Sequence, residues 1–158
     1  MVRIAVLQHS SPCRRGTSFF VQPDGAPGHR LTQGSEGWKV RREVAPIEGY
    51  IVGNKSHSNA FYETDLTAQL EPRGERHLIV TGYMSHYGVD ITVRRTVDLG
   101  YVVTLAGDGH GTSDDGALRH DQIAAHHNTL LSKVYDPKTQ LTVKIPRKFR
   151  VLDRGNLQ

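Results

Sequence analysis

Four short β-branched, apolar runs divide this chain: VRIAVLQ (2–8), YIVGN (50–54), HLIVTG (77–82) and YVVTLAG (101–107). The segments between the later runs have helical spacing. ETDLTAQLEPRG (63–74) offers Thr64 as an N-cap, Leu66 and Leu70 four residues apart, and Pro72-Arg73-Gly74 as a stop. Residues 87–98 place Val89, Thr92, Val93 and Thr96 on one face and close at Gly100. Residues 115–135 form a longer amphipathic pattern with Leu118, Ile123, Leu130 and Val134 turned inward. Strands that alternate with helices need crossover connections, and these build a mostly parallel sheet covered on both faces. The expected class is α/β.

The chain has 158 residues, enough to bury a core without disulfides or metals. Its only cysteine is Cys13, which excludes an intramolecular disulfide and fits a reducing, cytoplasmic setting. No apolar run approaches the roughly 20 residues of a membrane span, and Met1–Gln8 lacks a secretory pattern. The net charge of +4 comes from the tail, where six Lys and Arg face two Asp over 136–158. Residues 1–135 are therefore neutral overall, and the basic tail reads as solvated, with no nucleic-acid or membrane partner. The chain divides into a domain over 1–135 and a tail over 136–158. Within 9–47, dense in Gly, Pro and Ser, only SEGWKVRREV (35–44) reads as a short helix or turn. In the tail, QLTVKIPRKFRVL (140–152) could add a strand interrupted by Pro146.

Three polar clusters follow strands: Asn54–Phe61, Tyr83–Gly88 and Asp108–Thr112. Parallel strands bring their C-terminal ends to one edge, where these clusters should meet. Lys55 has the most chemical potential among them. A lysine just past a buried strand stays partly desolvated and can stabilise an anion. The ordinary alternative is a solvated loop lysine.

Several blocks resemble one family in order and content. They are QHS (8–10), GSEGW (34–38), NKSHSNAFYETDL (54–66), VTGYMSHYGVDITVRRTVDLGY (80–101) and HGTSDDGALRHDQIAAHHNTLL (110–131). Together they are similar to isochorismatase-like hydrolases, the superfamily of isochorismatases, nicotinamidases and other cysteine hydrolases. The resemblance spans about residues 2–135. It implies a three-layer α/β/α sandwich on a Rossmann-like sheet, a small-molecule substrate, a homo-oligomer and no cofactor. Amidase members use an Asp–Lys–Cys triad. The lysine motif falls on Lys55, with Ala60, Phe61, Thr64 and Leu66 matching around it, and the cysteine position is Gly88. The aspartate motif of the family's first strand has no match, because VRIAVLQHS resembles the second strand. The resemblance thus implies a sheet lacking the family's first strand and helix. Strands 2–8 and 77–82 should then pair directly, or 140–150 should fill the central place.

Glycine cannot form an acyl-enzyme. Isochorismatases proper resemble GVYAHIGC in this stretch and need no covalent nucleophile: an aspartic acid protonates a vinyl ether, a lysine assists and water attacks. GYMSHYGV shares Gly82, His86 and Gly88 with that pattern. The resemblance assigns substrate contacts to Tyr83, Met84, Ser85, His86 and Phe61, and implies a cis Tyr83–Met84 peptide. Asp108, at a strand end, is the carboxylate best placed to substitute for the absent acid; Asp90 suits the first turn of a helix. Ser85 and His86 adjoin, but no carboxylate is spaced to orient a base.

His120, His126 and His127 read as packing or surface residues, and no metal is expected. The metal motif of nicotinamidases, an Asp-x-His ahead of the lysine, is absent. Cys13 sits in a Pro-Cys-Arg-Arg loop whose cations would lower its pKa, but that loop resembles no catalytic segment. Two function classes remain: a hydrolase of a small amide or vinyl ether using Lys55, and a non-catalytic small-molecule-binding or scaffold protein. A truncated gene product is a third origin for the missing aspartate.

Overall fold

A computed structural model describes residues 2–6, 17–136 and 141–142. Its strands are β1 (Val2–Val6), β2 (Ser18–Pro23), β3 (Ile51–Lys55), β4 (His77–Tyr83) and β5 (Val102–Gly111). The helices are α1 (Leu66–Leu70), α2 (Asp90–Asp98) and α3 (His120–Leu131). A π turn over Ser85–Val89 leads into α2. Two short strands, β6 (Tyr135–Asp136) and β7 (Leu141–Thr142), pair antiparallel; the rest of the expected tail strand lies outside the described residues.

The five strands lie in the order β3-β2-β1-β4-β5. β2 pairs parallel with β3, and β4 with β5, whereas β1 is antiparallel to both β2 and β4. Four strands therefore run one way, and their C-terminal ends share an edge. Only β1 is reversed. β1 pairs directly with β4, as one of the two expected arrangements required, with Val2 opposite Gly82 and Val6 opposite Leu78.

Two expectations need correction. The stretch 9–47, read from sequence as irregular outside 35–44, contains β2, which pairs with β3. Strand 2–8, expected within a parallel sheet, is antiparallel to both its neighbours at the centre. The reversal of β1 has a simple physical reason. Eleven residues separate Val6 from Ser18, and a parallel crossover needs about a dozen or more, usually including a helix. An antiparallel connection is short enough.

Helix bounds contract relative to the sequence reading. α1 spans Leu66–Leu70 and passes into a 3-10 turn over Glu71–Arg73, which Gly74 ends at φ +63°. Thr64 accepts the Leu66 N–H at 3.4 Å and donates to the Ala60 carbonyl at 2.7 Å, so it braces the helix start. α3 begins only at His120 because Asp115 and Leu118 first bridge to each other, and Asp114 then accepts the His120 N–H at 2.7 Å. Residues 42–44 form a short 3-10 turn within the 35–44 stretch.

Alternate residues of β2, β4 and β5 face one layer. Phe19, Val21, Leu78, Val80, Val103 and Leu105 pack with Leu66 and Leu70 of α1 and Val93 and Val97 of α2. Their neighbours Phe20, Ile79 and Ala106 point to the other face and are buried too. Both faces of the sheet are therefore covered, which is why these strands read as continuous apolar runs. Leu105→Ala should cost about 2–5 kcal/mol in urea unfolding. Ile91→Ala, at a 39% exposed position, should change stability by less than about 0.5 kcal/mol.

Candidate active site

Lys55 ends β3, and side chains two apart on a strand share a face. The pleat that turns Ile51 toward the core therefore turns Lys55 the same way, at the point where the sheet ends. The residue is only 4% exposed. Its Nζ donates to the Ser58 carbonyl at 2.5 Å, and burial lowers its pKa to about 8. The loop presenting Ser58 is tied down on its far side. The Ala60 N–H donates to Thr92 Oγ1 of α2 at 3.2 Å, and the Phe61 N–H to Asn59 Oδ1 at 2.9 Å.

Parallel pairing sets Pro23 beside Lys55 and Gln22 beside Asn54, and the Asp24 N–H donates to the Lys55 carbonyl at 2.8 Å. Asp24 thus enters the site directly behind the lysine. One of its carboxylate oxygens accepts from Trp38 Nε1 at 2.6 Å, the other from Asn54 Nδ2 at 2.7 Å. Gln22 Nε2 donates to the Trp38 carbonyl at 2.7 Å, so both ends of Trp38 are held from β2 and the residue after it. The long loop is cross-linked in turn. Ser35 Oγ donates to the Arg30 carbonyl at 2.8 Å, and Gly37 lies so close that a Cβ there would fall 2.4 Å from the same oxygen.

A solvent-open cleft of about 960 Å³ lies over this edge. Lys55, Asp24 and Trp38 line it, with Tyr83, Met84, Tyr87 and Gly88 from the turn after β4. The Tyr83–Met84 peptide is cis, as the resemblance implied. Of the residues proposed from sequence, Lys55, Tyr83, Met84 and Gly88 meet in the cleft.

Ser85, His86 and Phe61 do not line it. Phe61 packs against the core beside Tyr101, ring centroids 6.3 Å apart. His86 turns toward β5: Nδ1 lies 2.9 Å from Thr112 Oγ1, and Nε2 lies 3.3 Å from the Asp115 carboxylate without hydrogen-bond alignment. Ser85 is fully buried and pairs not with His86 but with His110, Oγ to Nδ1 at 2.8 Å. His110 Nε2 contacts Asn128 Oδ1 at 3.0 Å, and Asn128 Nδ2 donates to the Gly107 carbonyl at 3.0 Å. That chain assigns the ring proton to Nε2 and makes Ser85 the donor to Nδ1. Burial lowers the His110 pKa, which suits the neutral ring. The arrangement has the order of a Ser–His–Asn triad, but its serine is closed to the cleft. It ties the turn after β4 to β5 and α3.

The carboxylates considered from sequence also lie elsewhere. Asp90 pairs with Arg94 at 2.9 Å along α2, and Asp108 is exposed on β5 outside the cleft lining. Asp24 is the acidic residue in the cleft, and sequence reasoning passed over it because β2 was not recognised. The available signal was SFFV (18–21), four residues that suit a doubly buried strand, followed by Gln22-Pro23-Asp24. Among the described residues no group of three or more His, Cys, Asp or Glu could hold a metal, and no helix is long and apolar enough to cross a membrane. Cys13 lies outside the described residues.

The Lys55 pKa has a consequence for stability. Between pH about 8 and 10.5 the unfolded chain binds a proton at Lys55 that the folded chain has released, so stability rises with pH across that window. Relative to Lys55→Met, the native protein should gain on the order of 3 kcal/mol between those limits. Urea unfolding of both proteins at a series of pH values checks it.

The isochorismatase domain model matches residues 2–133. The uncharacterised isochorismatase family protein YddQ of Bacillus subtilis is 36% identical over 97 residues, 60% of this chain and 54% of the relative. Streptothricin hydrolase of Streptomyces noursei is 35% identical over 94 residues, 60% of this chain and 34% of the relative. The crystal structure of an isochorismatase from Pseudomonas putida superposes with a TM-score of 0.69 at 30% identity, covering 80% of this chain and 64% of that one. The chain thus spans about half, or less, of the length of these two curated relatives. A domain match over most of the sequence, with the same fold in solved relatives, places this chain in the isochorismatase family of the cysteine hydrolase superfamily.

Proposed function

We propose that the cleft hydrolyses a small amide or vinyl ether by direct attack of water, without a covalent intermediate. The observation that carries this reading is the meeting of a buried lysine, Lys55, and a positioned carboxylate, Asp24, in one cleft whose nucleophile position is Gly88. For an amide, Asp24 takes a proton from water as the water oxygen bonds to the carbonyl carbon. It returns that proton to the nitrogen as the C–N bond breaks. Trp38 and Asn54 fix the carboxylate, and each of its oxygens keeps a lone-pair site for water. Lys55, desolvated and charged below pH about 8, stabilises the developing oxyanion, with backbone N–H groups of segment 84–88 as the other donors. For a vinyl ether, Asp24 would protonate the terminal alkene carbon, and water would add to the resulting oxocarbenium carbon and return a proton to Asp24. The hemiketal would then collapse to a ketone and an alcohol, with Lys55 placed to assist only the departing alkoxide oxygen.

Gly88, with no side chain to form an acyl-enzyme, favours a second reading: a binding protein that keeps the cleft and has lost turnover. The proposal also includes a homo-oligomer in the cytoplasm, and native mass measurement tests the assembly.

A panel of small amides, lactams and vinyl ethers, assayed for product by mass spectrometry, separates the two readings. Turnover should fall by about 10²–10³-fold in Lys55→Met and by about 10²–10⁴-fold in Asp24→Asn. kcat/KM should decline as pH rises through about 8, when Lys55 loses its proton. Cys13→Ser should be unchanged, and inactivation by a thiol-alkylating reagent would overturn the direct-water mechanism. Binding of panel members without turnover of any would leave the binding protein.

A further inference from the structure

Residues 1–135 carry no net charge, yet the cleft does. Arg30, Lys39, Arg41 and Lys55 line it against one carboxylate, Asp24. The Asp24 oxygens are held by Trp38 and Asn54, not by these cations. Lys39 is paired with Glu36 at 2.7 Å, and Lys55 is engaged with Ser58. Arg30 and Arg41 form no ion pair among the described residues. Two guanidinium groups thus border the cleft with no acidic partner of their own, in a loop that is otherwise closely cross-linked. His29 adds a donor: its Nδ1 accepts the Leu31 N–H at 3.1 Å, which leaves the ring proton on Nε2.

Aromatic side chains give the cleft a second character. Trp38 is half-buried with its N–H already used, so its contribution to a ligand is the indole ring. Tyr83 and Tyr87, 44% and 50% exposed, line the same cleft from the turn after β4. Flat apolar faces favour a planar ligand, and guanidinium forks favour carboxylates, which they bind bidentately.

We infer that the cleft selects small planar organic carboxylates, with Arg30 and Arg41 as the specificity-determining residues that hold the carboxylate. This rests on the cleft being the substrate site proposed above. The division of labour follows from burial: the exposed arginines, permanently charged, receive the anion, while buried Lys55 serves the bond to be broken. A neutral substrate of the same shape would leave both guanidinium groups without a ligand partner and would gain only the aromatic contacts.

Trp38 is the only tryptophan in the chain, so intrinsic fluorescence reports this cleft directly. Benzoate and benzamide, of nearly equal shape and differing in charge, are the probes. Benzoate should bind at least about tenfold more tightly than benzamide at low ionic strength. The preference should shrink on raising salt from about 50 to 200 mM, because exposed charges are screened. The Arg30→Gln/Arg41→Gln double variant should lose the preference while keeping benzamide affinity, and the corresponding Lys pair should recover part of it. Equal affinities in the native protein, a preference that survives the double Gln variant, or no emission change with benzoate up to about 100 mM would overturn the inference. Retained benzamide binding shows that the double variant is folded. Turnover of neutral amides without carboxylate preference would sink this inference and leave the hydrolase reading; benzoate selectivity without turnover would do the reverse.

Discussion

An ammonium group buried at the end of an edge strand is the constraint on which the rest of this site depends. Lys55 is almost inaccessible, and the Ser58 carbonyl is its hydrogen-bond partner. Desolvation of a charge is costly unless the protein organises polar groups around it, and the lowered pKa measures how incompletely that cost is offset. The surrounding structure can be read as the means of holding it there. The β2–β3 register carries Asp24 past the lysine, and Thr92 on α2 pins the loop that supplies Ser58.

The reversed central strand matters less to the site than its position would suggest. Lys55, Asp24 and the turn after β4 come from the C-terminal ends of strands that all run the same way. β1 needs only to bridge β2 and β4 with backbone hydrogen bonds, which either direction supplies. Direction is therefore free to follow the length of the connection, while the active edge is preserved. Beneath that edge, the Ser85–His110–Asn128 chain and the His86–Thr112 contact join the turn after β4 to β5 and α3. Polar residues that looked chemical in the sequence are here the supports of the cleft wall.

The cleft brings Lys55 and Asp24 together with Gly88 from the turn after β4. The carboxylate does not come from where the family pattern would look for it. It comes from the residue after β2, held by an indole N–H and an amide. The same long loop that fixes Asp24 through Trp38 also brings Arg30 and Arg41 to the lining of the cleft.

The sequence by itself determined the α/β class, four of the five strands of the main sheet, the approximate places of three helices, and Lys55 as the residue to watch. These are local facts: apolar runs, helical spacing, glycine stops and a motif around one lysine are all written within a few residues of one another. It did not reveal β2, because SFFVQP lies within a stretch dense in Gly, Pro and Ser and itself ends in proline, and only burial on both faces marks it as a strand. Nor could it assign Asp24, Arg30 and Trp38 to the cleft, or withdraw Ser85, His86 and Phe61 from it. Those outcomes depend on which strands pair and which side of a turn faces inward, and contacts between residues 14 to 40 positions apart settle them. Asp24 meets Asn54 across 30 residues, and Ala60 meets Thr92 across 32. Tertiary structure alone decided those, because a hydrogen bond over such a separation exists only after the sheet has brought its ends together.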